Sequence, residues 1–346
     1  MDPVSFLSDL IRVPSPSGDE GPAAEVLAEA LLGLGWERSW IDPAGNVLAS
    51  RGDGLSRVAL FGHLDTVPGG PEPMIRGDQV WGRGSVDAKG PLCAMAVAGS
   101  RVELPPGVGL VLVAAVGEEV DSRGARHALA SGQLEGVRGV VVGEPTGTDG
   151  VALSYRGRVL LRLSDSDGGA HRSCDSGPLT RVLMGASRVV SHVSHLEGFS
   201  SAVVHMEGEE SGGRSARVTL DLRVPVGASA LALAEELVPM ASGVRVELLE
   251  VVEPHSVGAG DPVVSCLRGS IRGVGRNPRL LAKLGTCDFN VLAPLGVPMG
   301  VYGPGDPRLD HSDQERLDVG DYLRSIEVLS DAIPRIVSRV CNPQGR

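Results

Sequence analysis

Apolar positions fall into two repeating patterns along the chain. From Pro22 to Leu34, alanine and leucine recur at helical spacing and stop at Gly35, whereas Arg57–Gly62, Gly109–Val116 and Val137–Val142 are short continuous apolar runs that read as buried strands. Helices alternating with buried strands predict an α/β sheet. In open sheets of that kind the functional groups gather just past the carboxyl ends of the strands.

Near Ser154 the pattern changes to more amphipathic segments: strands over 158–163, 201–206, 216–224 and 244–252, with helical stretches over 179–195 and 228–240. The resulting β-α-β-β-α-β order is that of a ferredoxin-like α+β unit, and the α/β alternation resumes after Asp261. The expected organisation is a discontinuous catalytic domain, residues 1–153 and 257–346, with an insertion at 154–256.

A chain of 346 residues is long enough for two cores. A net charge of −11 argues against broad nucleic-acid or anionic-membrane binding. Acids stand near the N-terminus where a signal peptide needs a basic region, and the longest apolar run, Leu110–Val116, is far below a membrane span, so a cytoplasmic, membrane-free protein is expected. Five scattered cysteines without a C-x-x-C pair suggest neither a disulfide framework nor a thiolate zinc site.

The candidate chemistry lies in the turns just past these strands. His63-Leu64-Asp65 sets an imidazole two residues from a carboxylate that can orient it. The glycine-rich stretch Gly82–Gly90 presents Asp87; it lacks the spacing of a phosphate loop, and Asp87 would repel phosphate. Gly117-Glu118-Glu119 places two acids at a strand end, where one can ligate a cation and the other accept a proton. Glu144 comes just after the strand Val137–Val142, and Asp310-His311-Ser312 adds a second histidine in a turn. Each position alone also fits a hydrogen-bonded or solvated turn. Together, imidazoles and carboxylates without cysteine suit two divalent ions, zinc first, with cobalt or manganese as substitutes.

These motifs, in this order and spacing over essentially the whole chain, resemble the family of co-catalytic zinc aminoacylases, deacylases and carboxypeptidases that includes succinyl-diaminopimelate desuccinylase and acetylornithine deacetylase. The resemblance implies a zinc-exopeptidase-like catalytic domain, a mixed sheet flanked by helices, with the insertion acting as a lid and dimerisation domain. It implies that Asp87 bridges two zinc ions, that His63 and Glu144 complete one site, and that Glu119 and His311 complete the other. Glu118 would be the general base and Asp65 the clamp on His63. In Gly168-Gly169-Ala170-His171, the histidine resembles an oxyanion donor that dimeric relatives pass to the neighbouring subunit.

Arg156, Arg158 and Arg223 stand where relatives bind carboxylates, with surface duty as the alternative. The run Gly285-Thr286-Cys287-Asp288-Phe289-Asn290 resembles the branch that releases lysine or ornithine from the amino-group carrier protein LysW, with Cys287 where that branch has serine. Arg156, Arg223 and Thr286 are therefore the expected substrate contacts. The expected partners are an acidic carrier protein or a small N-acyl amino acid, and a second copy of the chain in a homodimer. Glu144, where peptide-cleaving members carry aspartate, leans toward deacylation. Acetylornithine-type deacetylase, desuccinylase or small-peptide aminoacylase activity is the neighbouring alternative, and a catalytically inactive metal-binding protein the non-enzymatic one; the latter would have no use for Glu118.

Overall fold

The strand Ser56–His63 sits between two parallel neighbours, Val108–Ala115 and Val137–Val142, and all three run toward the same sheet edge. The computed structural model describes residues 1–168, 176–209 and 213–341. Contacts divide these into two compact units: Met1–Leu153 with Val257–Ala282 and Cys287–Arg346, and Ser154–Ser256 with Lys283–Thr286. The short run Lys283–Thr286 thus groups with the second unit, although it lies far along the chain from the rest of it.

In the first unit the sheet is mixed, as expected for an α/β domain. Outside Val108–Ala115 lie the antiparallel strands Val47–Arg51 and Arg38–Ile41, and on the other flank Met299–Val301 runs parallel to Val137–Val142. The three central strands are almost wholly buried, which requires continuous apolar runs rather than alternation. Helix Lys89–Arg101 packs on the sheet and against helices Pro3–Ile11 and Val319–Val340. Every residue from Lys89 to Gly99 is buried. Close approach of this helix depends on glycine: a Cβ at Gly303 would meet the Pro91 Cβ and the Glu144 main-chain oxygen, each at 2.7 Å. The helix predicted to stop at Gly35 spans Gly21–Leu34, and Gly35 closes it at φ 106°.

A small three-stranded sheet, Met74–Arg76, Gln79–Trp81 and Arg316–Asp318, completes this unit and pairs Trp81 with Arg316. No helix among the described residues is long and apolar enough to cross a membrane.

The second unit is a four-stranded antiparallel sheet ordered Ser200–Glu209, Arg214–Val224, Gly157–Asp167, Arg245–Val252. With helices Gly177–Ser194 and Ala230–Met240 its chain order is β-α-β-β-α-β, and the strand order is that of a ferredoxin-like unit. Alternate residues Val159, Leu161 and Leu163 point into a core shared with Val182, Val189, Leu220 and Leu237. The strand Ser200–Glu209 lies at the sheet edge and exposes Val203, Val204 and Met206.

The central strand carries the site's first histidine, so its burial sets the scaffold's stability. Leu60, inaccessible to solvent, is expected to cost about 2–5 kcal/mol when truncated to alanine. A urea-unfolding midpoint indistinguishable from wild type for Leu60→Ala would contradict this.

Candidate metal centre

His63 is the last residue of its strand, opposite Ala115, and is 1% exposed. Its Nδ1 lies 3.0 Å from the main-chain oxygen of Asp65 and 3.6 Å from the Asp65 carboxylate. The ring N–H at Nδ1 therefore donates to the main-chain carbonyl, which turns Nε2 toward Asp87 and Glu144. The Asp65 carboxylate reaches past the ring and accepts from the main-chain N–H of Glu118 (3.0 Å) and Glu119 (3.2 Å) and from the Ser17 hydroxyl (2.7 Å). One buried carboxylate thus ties the first strand end to the loop at the end of its neighbour.

Asp87 projects from the turn Gly82–Gly90, and the Asp87–Ala88 peptide is cis. Gly84 sits at φ +86°, where a Cβ would lie 2.9 Å from Thr66 Cγ2, so only glycine fits. The two Asp87 oxygens face different imidazoles: Oδ1 is 3.2 Å from His63 Nε2 and Oδ2 is 3.0 Å from His311 Nε2. His63 Nε2 is also 3.9 Å from a Glu144 oxygen, and His311 Nε2 is 2.9 Å from a Glu119 oxygen. His311 reaches this position from a left-handed backbone, φ 57°. Asp87 thus lies between the two imidazoles, with Glu144 near His63 and Glu119 near His311, and ligand atoms of His63, Asp87 and Glu119 come within 4.8 Å of one another.

The electrostatics of this cluster call for positive charge. Burial works against a charge on His63, yet Asp65, Asp87 and the nearby glutamates raise its pKa well above the usual imidazole range. Asp87 and Glu119 push His311 up to about 10. Asp87 is held well below the carboxylate range: its own burial opposes this, and the two histidines outweigh it. In the protein alone, protons on the imidazoles balance the carboxylates. Divalent cations would displace those protons and satisfy the same oxygens, so the donor set fits a cation pair.

Glu118, beside Glu119, has its carboxyl pushed well above the usual range by burial, with His63 opposing and Glu144, Asp288 and Glu119 adding to it. The ligand atoms of Glu118, Glu144 and Cys287 also lie within 4.8 Å of one another. That group is the weaker cation site, because burial and the adjacent glutamates keep the Cys287 thiol protonated. Asp288, 1% exposed, is pushed up to about 6 by burial, against the pull of His63.

Several supporting residues escaped the sequence reading. Asn46, 0% exposed, accepts from Val116 N–H (3.0 Å) and donates to Gly124 O (3.0 Å), fixing both ends of the Glu118–Glu119 loop. Ser17 and Glu315 likewise act through hydrogen bonds to distant segments. In the second unit, Arg223 donates to Thr286 Oγ1 (3.1 Å) and Asp221 (3.0 Å), and Thr286 donates to Arg156 O (2.8 Å). Arg158 is engaged by Glu250 and Asp221. His171 lies outside the described residues.

Residues 59–335 match the model of Peptidase family M20/M25/M40. A protein of Pyrococcus abyssi provisionally named a LysW-lysine/LysW-ornithine hydrolase is 35% identical, covering 96% of this chain and 94% of its own. The LysW-lysine hydrolase of Deinococcus radiodurans is 33% identical over 96% of both chains. In fold, the chain is similar to an M20-family metallo-carboxypeptidase from Sulfolobus solfataricus (TM-score 0.83, 17% identity, 97% of this chain and 99% of that one). A dinuclear metal-binding M20 peptidase from Bacillus subtilis is similar as well (TM-score 0.69, 15% identity, 98% of each chain). With the matched segment spanning all five candidate ligands, this chain belongs to the M20/M25/M40 peptidase family.

Proposed function

We propose that this hydrolase releases lysine or ornithine from the amino-group carrier protein LysW, by cleaving the amide between the amino acid's α-nitrogen and the side-chain carboxyl of the carrier's terminal glutamate. The observation that carries the hydrolytic reading is Asp87, whose two oxygens face two imidazoles that each have a second acid beside them. The names of the full-length relatives support the carrier as substrate. Zinc suits the mixed imidazole and carboxylate donors, with His63, Asp87 and Glu144 holding one ion and His311, Asp87 and Glu119 the other. When bound, such a pair supplies Lewis acidity toward the scissile carbonyl and makes a water acidic enough to attack it.

The chain's own residues do the rest. Glu118 takes the proton of the attacking water and passes it to the leaving amine as the C–N bond breaks; burial, which raises its carboxyl pKa, strengthens it as a base. Asp65 holds the main chain of Glu118 and Glu119 together, which keeps the base in register with the neighbouring ligand. Arg223, with Thr286 beside it, and Arg156 are the groups we assign to a substrate carboxylate, and His171 to the oxyanion. The free cysteines Cys93, Cys266, Cys287 and Cys341 suit the reducing cytoplasm. The exposed edge strand Ser200–Glu209, apolar at Val203, Val204 and Met206, suits strand-to-strand pairing in a homodimer.

Glu118→Gln is expected to keep its metal and fold while kcat falls by at least ~10²-fold, the usual scale for losing an acid–base group. Glu119→Gln should lose metal affinity as well. Equal metal binding and equal activity loss in the two variants would contradict the division of labour.

Turnover of LysW-lysine, LysW-ornithine, acetylornithine and succinyl-diaminopimelate under identical zinc loading tests the substrate. A carrier substrate should dominate in kcat/KM, with a KM that rises with salt because an acidic carrier must be recognised by arginines. Dominance of acetylornithine would move the assignment to a small-molecule deacylase.

In sedimentation, the protein is expected at twice its 35.8 kDa chain mass, and Met206→Asp should shift it toward the monomer. A monomeric wild-type protein would remove the dimer from this reading.

A further inference from the structure

Glu315 stands four residues beyond His311, at the head of the short strand Arg316–Asp318, and its side chain is 0% exposed. A buried carboxylate persists only when its oxygens are satisfied. Here Oε1 accepts three main-chain donors of one turn, the N–H groups of Gly84 (2.9 Å), Val86 (3.0 Å) and Asp87 (3.1 Å). Oε2 takes the guanidinium of Arg83 at 2.5 Å. Gly82 N–H closes onto the main-chain oxygen of Glu315 at 3.3 Å, and Trp81, just before the turn, pairs with Arg316, whose guanidinium lies 4.8 Å from the Trp81 ring centre.

These bonds all fall on the turn that aims Asp87, and Asp87 is the residue that lies between the two imidazoles. The turn has little freedom to find another shape. Gly84 is left-handed, and a Cβ at Gly90 would strike the Ser85 carbonyl oxygen at 2.2 Å. Glu315 also lies on the segment that carries His311, so one carboxylate fastens the two ligand-bearing segments to each other. None of its oxygens is left for substrate or cation.

We propose that Glu315 is a positioning residue for the cation pair, setting the backbone of the Gly82–Asp87 turn so that the two oxygens of Asp87 point to two separate ions. This rests on the two-cation reading above. Charge is part of the role, because a glutamine could still offer one oxygen to the three N–H groups but would turn its NH₂ toward the donors of Arg83.

The test strips the full-length protein with a chelator and titrates it with zinc by calorimetry, alongside Glu315→Gln and Glu315→Ala. Far-UV spectra and thermal melts of the stripped proteins report the fold separately. Both variants are expected to keep the wild-type spectrum, while zinc affinity falls ~10-fold in Glu315→Gln and ~10²-fold in Glu315→Ala, the range known for residues that orient metal ligands. Restoration of two tight sites in Glu315→Asp is not expected, because the shorter side chain cannot reach all three N–H groups. Wild-type zinc affinity in both variants, with only the melting temperature changed, would overturn the proposal; if Glu315→Ala does not fold, unchanged affinity in Glu315→Gln overturns it alone. A wild-type chain that takes up fewer than two zinc ions would sink the two-cation reading and this proposal together.

Discussion

Asp87 holds one carboxylate oxygen against His63 and the other against His311, and the rest of the first unit can be understood as the machinery needed to keep it there. Crowding Asp87, Glu118, Glu119 and Glu144 into one pocket is unfavourable unless positive charge joins them. Protons on two imidazoles provide that charge in the protein alone, and a cation pair would do so more strongly. The fold must therefore resist a repulsion that would otherwise push these side chains apart.

It does so from two directions. Three parallel, almost wholly buried strands deliver His63, the Glu118–Glu119 loop and Glu144 at one edge, so their spacing is inherited from a rigid sheet. The remaining ligands, Asp87 and His311, sit on turns with no such scaffold. The Asp87 turn is ordered by hydrogen bonds to the buried carboxylate of Glu315, on the segment that carries His311, and buried Asp65 fastens the glutamate loop in the same way. In both cases charged acceptors meet main-chain N–H groups, an arrangement that is strong in a low-dielectric interior.

This division explains which parts of the site were legible in the sequence. His63, Glu118, Glu119 and Glu144 were legible because each follows an apolar run that reads as a buried strand, and Asp87 and His311 because their turn motifs resemble the family's. The second unit was legible because its strands alternate, as Val159, Leu161 and Leu163 do. By contrast, Glu315, Asn46 and Ser17 bind main chain or side chains tens to hundreds of residues away, and such pairings leave no periodicity to read. The strands Gln79–Trp81 and Arg316–Asp318 are three residues each, too short for any pattern to emerge. Lys283–Thr286 joins the second unit through contacts that no composition shift announces.

Anomalous diffraction at the zinc edge from crystals of the zinc-loaded protein would test the account at its centre. Two peaks roughly 3.5 Å apart are expected, the usual spacing of a two-metal site, one beside His63 and Glu144, the other beside His311 and Glu119, with one Asp87 oxygen on each. A single peak, or two peaks with Asp87 bound to only one, would contradict it.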